Sequence, residues 1–98
     1  MTDDAPPGCL APAAVKRILL AALATGEIGF TGHALTEMRS DRITQDEALA
    51  VLRGGVLEPG EFERGSWRYR VRANRTYVVV AVRSERTAVV VTAWRVRR

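Results

Sequence analysis

Residues 30–55 read FTGHALTEMRSDRITQDEALAVLRGG and contain two helix start signals beside the single histidine of the chain. Thr31 offers a side-chain oxygen that accepts a hydrogen bond from a free N–H group at a helix start. Thr44, followed three residues later by Glu47, is a capping box that opens a second helix, and the glycine pair 54–55 ends it. We therefore expect two short helices in this segment.

His33 falls in the first turn of the earlier of these helices. Free N–H groups and the positive end of the helix dipole favour a neutral imidazole there, and they attract anions such as phosphate. A neutral histidine beside an anion site is a candidate general base. A partly exposed polar residue at a helix start is the alternative interpretation, and the residues alone do not decide between the two.

The residues before this segment predict a tail and one further helix. Residues 1–12, MTDDAPPGCLAP, contain three prolines and no apolar period, so we expect a disordered leader. From residue 13 to residue 25 the apolar side chains follow the i, i+3, i+4, i+7 spacing of a buried helix face, and Gly26 is the stop signal. Residues 13–98 are long enough for a single domain with one core.

After the glycine pair, the period of the sequence changes from helical to alternating. In residues 66–72, SWRYRVR, the side chains of Trp67, Tyr69 and Val71 point to one side of a strand and the arginines to the other.

Two valine-rich stretches follow, RTYVVVAVR at 75–83 and RTAVVVTAWRV at 86–96, and the short connections between the stretches predict hairpins. A further strand within residues 56–62, interrupted by Pro59-Gly60, is expected at the edge. The predicted fold is therefore α+β, with about three N-terminal helices packed on one face of a four-stranded antiparallel sheet.

Charge is divided unevenly along the chain. Residues 1–63 carry five basic and ten acidic side chains, whereas residues 64–98 carry ten basic and one acidic, so the two parts have net charges of −5 and +9. Such a division indicates that the basic C-terminal part contacts an anion, either nucleic acid or an acidic protein. Arginine suits phosphate recognition, although an arginine-rich proteome would give the same composition.

Cys9 is the only cysteine, so an intramolecular disulfide is excluded and no cysteine cluster is available for a metal. A reducing cytoplasm is the expected compartment, and we expect no cofactor and no metal. No run of about 20 apolar residues is present to span a bilayer, so a membrane is not an expected partner.

The motif F-T-x-H-A at 30–34, then Met38, then R-I-T at 42–44 and V-V-V-T-A-W at 89–94 resemble a domain-of-unknown-function family of small bacterial proteins. The resemblance covers residues 28–96. That family is similar to the toxin ribonucleases of the barnase, EndoU, colicin and RelE group, including RelE- and BrnT-like toxins, which place short helices before a curved antiparallel sheet. In many members a glycine follows the arginine of the R-I-T motif, whereas isoleucine follows it here.

The resemblance implies a toxin-type, metal-independent endoribonuclease of a bacterial toxin–antitoxin or related system, which cleaves RNA by 2′-hydroxyl attack and is neutralised by an acidic antitoxin or inhibitor protein. The implied catalytic residues are His33, Arg42, Arg68 and Arg70. The nucleic-acid contacts are assigned to Arg68, Tyr69, Arg70, Arg72 and Trp94, with Trp67 as a further stacking surface and Thr92 as a matched position. The alternative is a non-enzymatic module of the same fold that binds nucleic acid or an acidic protein through its arginine-rich sheet. Each residue also has a purely structural interpretation, in which Arg42 pairs with Asp46, the arginines of residues 68–72 form a solvated strand face, and the aromatic residues belong to the core.

Overall fold

The computed structural model describes residues 8–96, which form one α+β domain with three helices and six strands. In chain order the elements are α1 (Pro12–Ala24), β1 (Glu27–Phe30), α2 (Gly32–Ser40), α3 (Gln45–Gly54), β2 (Val56–Leu57), β3 (Glu61–Glu63), β4 (Ser66–Ala73), β5 (Thr76–Ser84) and β6 (Thr87–Arg95). No helix in this part of the chain is long and apolar enough to cross a membrane.

The predicted leader overlaps the described residues only at positions 8–12, and its residues 1–7 lie outside them. Leu10 packs against the core, and its backbone N–H donates a hydrogen bond of 3.0 Å to the hydroxyl of Tyr69. Pro12 begins α1, because proline needs no N–H partner in a first helical turn. The domain therefore has ordered contacts before residue 13.

The predicted helix over residues 13–25 is confirmed to within one residue at each end. Val15, Leu19 and Ala22 form its buried face. The helix ends before Gly26, which passes so close to the carbonyl of Arg86 that a Cβ atom there would overlap it. Glycine is therefore required at this position by the close approach of two chain segments.

Lys16, the single lysine of the chain, joins α1 to the end of α3. Its Nζ donates to the carbonyl oxygens of Leu52, at 3.2 Å, and Gly55, at 3.3 Å. Carbonyl groups in the last turn of a helix lack partners within the helix and carry partial negative charge. The ammonium group thus donates hydrogen bonds to two carbonyl oxygens at the end of α3 that have no donor within the helix.

Both predicted helix starts are confirmed by their hydrogen bonds. The Thr31 hydroxyl oxygen accepts from the N–H of Ala34 at 3.0 Å and caps α2. At α3 the Thr44 hydroxyl accepts from the N–H of Glu47 at 3.0 Å, while the Glu47 carboxylate accepts from the N–H of Thr44 at 2.9 Å. The Thr44 backbone N–H is the main cause that lowers the pKa of the Glu47 carboxyl from its ordinary value.

α2 ends in a turn that places Arg42 in a left-handed conformation, with φ of 59°. The Arg42 N–H donates to the carbonyl of Arg39 at 3.2 Å, and the Ile43 N–H donates to the carbonyl of Met38 at 2.8 Å. These two bonds form a Schellman motif, and the buried side chains of Met38 and Ile43 provide its usual hydrophobic contact. Arginine therefore occupies the position that glycine fills in most such turns.

The predicted four-stranded antiparallel sheet is corrected to a six-stranded mixed sheet of order β1-β6-β5-β4-β2, with β3 also paired to β4. The predicted edge strand is divided at Pro59-Gly60 into β2 and β3, which both pair antiparallel to β4. The added strand is β1, which pairs parallel to β6 from Glu27 opposite Thr87 to Phe30 opposite Val90. Its four residues are too few for a readable period, and its partner lies 60 residues away in the chain, so local patterns did not predict it.

The helices contact one face of the sheet and enclose the core there. The core residues come from all three helices, the turn between α2 and α3, and the three long strands, and they are Val15, Leu19, Ala34, Met38, Ile43, Ala48, Val51, Leu52, Tyr69, Val71, Val78, Val80, Ala88, Val90 and Ala93. The opposite face carries the side chains that alternate with these along β4, β5 and β6. We call it the open face.

Candidate nucleic-acid interface

The arginines of β4 lie on the open face, as their alternation predicted. Arg68, Arg70 and Arg72 alternate with the buried Tyr69 and Val71. Their register partners on β5 are Ala81, Val79 and Tyr77 in the same order. The three arginines therefore form a row along β4, and the neighbouring strand β5 is apolar on the same face. Three cations are thereby held in a line by the sheet.

The aromatic residues divide between the two faces. Tyr69 is only 1 % exposed and belongs to the core, where its ring is not accessible for stacking on a base. Trp67 lies on the same side as Tyr69 and contacts Phe62 edge to face at a centroid distance of 5.4 Å. Trp94 instead lies half-buried on the open face, stacked on Tyr77 at 5.1 Å with an angle of 5° between the rings. Trp94 is therefore the predicted aromatic residue that lies on the open face beside the arginines, and Tyr77 lies there with it.

A β-bulge at Val91 determines which side chains of β6 reach the open face. Val80 pairs with Val90, but Val79 pairs with Thr92, so Val91 is an extra residue between the two pairs. Because side chains alternate along a strand, one extra residue reverses the alternation beyond it. Thr92 and Trp94 consequently point to the open face.

The bulge also attaches the start of α2 to the sheet. The Thr31 hydroxyl donates to the carbonyl of Val91 at 3.3 Å, and the Thr31 N–H donates to the carbonyl of Val90 at 3.0 Å. His33, two residues further on, is exposed in the first turn of α2, as its position in the sequence predicted. Thr31 therefore fixes the helix start that carries His33 beside Thr92.

Two adjoining grooves cover this part of the open face. The His33 groove is lined by Thr31, His33, Glu63, Arg64, Arg68, Val91 and Thr92. The Trp94 groove is lined by Glu58, Pro59, Glu61, Glu63, Arg68, Arg70, Val79, Thr92 and Trp94. Glu63, Arg68 and Thr92 belong to both, so the structure brings His33, Arg68, Arg70 and Trp94 onto one continuous surface.

An acidic rim borders the Trp94 groove, and sequence analysis did not assign it a role. It consists of Glu58, Glu61 and Glu63 in the segment EPGEFE at residues 58–63. Glu61 lies opposite Arg68 in the pairing of β3 with β4. The alternation of acids in E-x-E beside the alternation of arginines was a usable signal, because two adjacent antiparallel strands of opposite charge pattern tend to pair.

Glu58 forms ion pairs with two arginines of the row. Its Oε1 lies 2.7 Å from Nε of Arg70, and its Oε2 lies 3.3 Å from Nε of Arg72. The hydrogen bond from Arg70 is the main cause that holds the pKa of the Glu58 carboxyl below its ordinary value, and Glu58 in turn raises the pKa of Arg70. Arg70 also lies over the ring of Tyr77, with its Cζ 5.8 Å from the ring centroid. Tyr77 thus contacts both Arg70 and Trp94, and like the acidic rim it was not assigned a role from the sequence.

Arg42 lies at the opposite end of α2 from His33. A helix of nine residues is about 13 Å long, and Arg42 lines neither the His33 groove nor the Trp94 groove. Its carbonyl oxygen accepts from Nη2 of Arg95 at 3.2 Å. Among residues 8–96 the ion pairs do not include one between Arg42 and Asp46.

Residues 30–95 match a family described as a domain of unknown function, DUF4258. The chain belongs to the DUF4258 family. Comparisons with curated proteins and with solved structures each found no match. The motifs of residues 28–96 predicted membership of a domain-of-unknown-function family, and the match over residues 30–95 confirms this prediction.

The DUF4258 region of the chain includes α2, α3 and the strands from β2 to β6, and it leaves out α1. α1 nevertheless supplies Val15 and Leu19 to the core. In this chain the core of the DUF4258 domain is therefore completed by a helix that precedes the matched region.

The open face of the DUF4258 domain combines groups that bind an anion with a titratable side chain. Arg68 and Arg70 supply guanidinium donors, and His33 supplies an exposed imidazole at a helix N-terminus. Within residues 8–96 no group of three or more histidine, cysteine, aspartate or glutamate side chains is arranged to hold a metal ion. The arrangement can hold a phosphate and move a proton beside it.

Proposed function

We propose that the protein is a toxin-type, metal-independent endoribonuclease with a RelE- and barnase-like fold, acting in the bacterial cytoplasm within a toxin–antitoxin or related system. The observation that supports it best is that His33, at a helix N-terminus, shares one groove with Arg68 and Thr92 on the open face. RNA cleavage by an internal hydroxyl requires a base and donors that stabilise charge on the phosphate, and both are present on this surface.

In the proposed reaction His33 removes the proton from a ribose 2′-hydroxyl. The 2′ oxygen attacks the adjacent phosphorus, and the bond from phosphorus to the 5′ oxygen of the next nucleotide breaks. The products are a 2′,3′-cyclic phosphate and a strand with a 5′-hydroxyl, which takes its proton from protonated His33 or from water. Arg68 and Arg70 stabilise the charge on the phosphate oxygens, and Trp94 stacks on a base.

Two further arginines contact the strand away from the cleaved bond in this proposal. Arg72 follows Arg70 on the same strand face. Arg42, at the other end of α2 from His33, contacts a more distant phosphate, so its part is to hold the strand rather than to act on the reacting atoms. Each such contact should contribute to the salt dependence of binding.

The proposed partner protein is an acidic antitoxin that covers the arginine row. Glu58 already pairs with Arg70 and Arg72, and this contact is the kind that an acidic partner would make with the same side chains. The same observation favours the second candidate function, a non-enzymatic module that binds an acidic protein or nucleic acid. Such a module needs the arginines but does not need His33.

Cleavage that depends on His33 separates the two candidates. Purified wild-type protein, His33→Ala and Thr36→Ala are incubated with total RNA in EDTA, and the products are tested for cyclic phosphate ends. Thr36 is exposed on the same helix and serves as the matched control. We expect His33→Ala to lower the cleavage rate by on the order of 100-fold or more, with the thermal stability of both variants unchanged. Equal cleavage by a folded His33→Ala protein would refute the enzymatic role of His33.

A further inference from the structure

A single carboxylate joins two arginines of the row on β4. Glu58 places one oxygen on Arg70 and the other on Arg72, at 2.7 and 3.3 Å, and both contacts use the Nε atom of the arginine. Each guanidinium group has four further N–H donors on its terminal nitrogens. A phosphodiester has two non-bridging oxygens that can occupy the same two contacts, one on each guanidinium.

We infer that the Arg70–Arg72 pair is a phosphate-binding site of the open face, and that Glu58 occupies it when no nucleic-acid strand is bound. The inference rests on the proposed function only in taking a polynucleotide as the ligand. Glu58 is then an internal competitor of the ligand, and binding exchanges its carboxylate for a phosphate.

The exchange needs a side-chain rotation and no movement of the backbone. The Glu58 N–H donates to the carbonyl of Arg70 at 2.9 Å, which extends the pairing of β2 with β4. Two residues on, Gly60 lies against the ring of Tyr69, where an added Cβ would be 2.5 Å from a ring carbon. The backbone on both sides of Pro59 is therefore fixed to the sheet.

The side chains themselves are accessible. Exposed fractions are 27 % for Glu58, 45 % for Arg70 and 44 % for Arg72. Ion pairs at this exposure contribute little net stability, because solvent competes for both partners. The carboxylate can therefore leave the arginines without unfolding the edge of the sheet.

An internal competitor favours long anions over short ones. Glu58 is attached to the strand next to its arginines, so its effective concentration at the site is high, and a free phosphate or a mononucleotide that displaces it gains only the two guanidinium contacts that Glu58 gives up. A strand that displaces Glu58 also gains contacts with Arg68 and stacking on Trp94, which lie in the adjoining groove. The site should therefore accept polynucleotides and reject single nucleotides.

The test measures binding of a fluorescent oligodeoxythymidylate, a single strand that lacks the 2′-hydroxyl and is not cleaved. Wild type is compared with Glu58→Gln and with Glu85→Gln, which makes the same change in net charge in the exposed turn between β5 and β6. We expect Glu58→Gln to bind about two- to fivefold more tightly than Glu85→Gln, the range that follows from the strength of exposed ion pairs. The slope of log K against log salt should differ little between the two variants, because binding makes the same phosphate contacts in both.

A second pair of variants shows whether the gain comes from the two arginines. In an Arg70→Gln/Arg72→Gln background, adding Glu58→Gln should give no further increase in affinity. Equal affinity of Glu58→Gln and Glu85→Gln, a gain that persists without the arginines, or no binding of the DNA by any variant would each overturn the inference. Failure of the proposed ribonuclease activity appears separately, as intact RNA, because binding of DNA does not depend on cleavage.

Discussion

Replacing Arg42 by glycine should stabilise the protein, although it removes a charged side chain from a turn next to the core. Arg42 has φ of 59°, in the left-handed region where a Cβ atom is crowded by the backbone. The two hydrogen bonds of the turn, at 3.2 and 2.8 Å, use backbone atoms only and remain after the substitution. The bond from Arg95 to the Arg42 carbonyl also remains.

The expected gain is the difference between two opposing effects. An L-residue in the left-handed conformation costs roughly 1–2 kcal/mol relative to glycine. Glycine loses about 0.5–1 kcal/mol more conformational entropy on folding. The free energy of unfolding should therefore increase by about 0.5–1 kcal/mol, which raises the melting temperature by roughly 2–8 °C in a domain of this size.

Urea and thermal denaturation followed by circular dichroism measure this change. Arg39→Gly is the matched control, since Arg39 is an exposed arginine in the last turn of the same helix. Glycine in a helix should cost about 1 kcal/mol there, so the two substitutions should have opposite signs. A lower stability of Arg42→Gly would show that the Arg42 side chain makes a stabilising contact that outweighs the strain, and the reasoning from φ would be refuted.

Two further outcomes follow, one from a contact at the edge of the core and one from the ion pairs of Glu58 on the open face. Leu10→Ala should lower the free energy of unfolding by about 1 kcal/mol, since Leu10 is half-buried, whereas Cys9→Ala at the exposed neighbouring position should leave the melting temperature unchanged. The stabilisation from Glu58 should be present above about pH 4.5, its ordinary pKa, and should be lost as the pH falls through the lower pKa of the folded state. Urea denaturation at pH 7 and pH 3 should therefore show a difference between wild type and Glu58→Gln that shrinks at the lower pH.

The helices were predictable because their signals are local. Thr31, Thr44 and Glu47 act on N–H groups within three residues, so the chain encodes each helix start in one short segment. The shared face of the β4 arginines was predictable for the same reason, since alternation along a strand needs no knowledge of its partners.

The sheet was less predictable because its pairing joins distant segments. β1 is defined by a partner 60 residues away, and its four residues carry no period of their own. The valine-rich strands have apolar residues on both faces, so their sequence did not reveal the bulge at Val91 or the outward direction of Trp94.

The arrangement of the candidate site could not be predicted for the same reason, because it depends on which distant segments of the chain pair. His33 shares a groove with Arg68 where Thr31 bonds to the bulge, and the acidic rim reaches the arginines through the pairing of β2 and β3 with β4. The residues alone therefore identify the chemical groups, whereas the positions of Tyr69 inside the core and of Arg42 away from the groove depend on the folded chain.

The bulge at Val91 sets the phase in which side chains alternate between the two faces along the rest of β6. Deleting Val91 would remove the extra residue and leave Val90, Thr92, Ala93 and Trp94 in unbroken alternation on the faces that they occupy now. One valine in the run of three is therefore not needed for the alternation of the strand, whereas its carbonyl oxygen accepts the hydrogen bond from the Thr31 hydroxyl. A related chain with one valine fewer at this point would keep Thr92 and Trp94 on the open face, and an alignment with a single gap opposite Val91 would equate residues on the same face of the sheet.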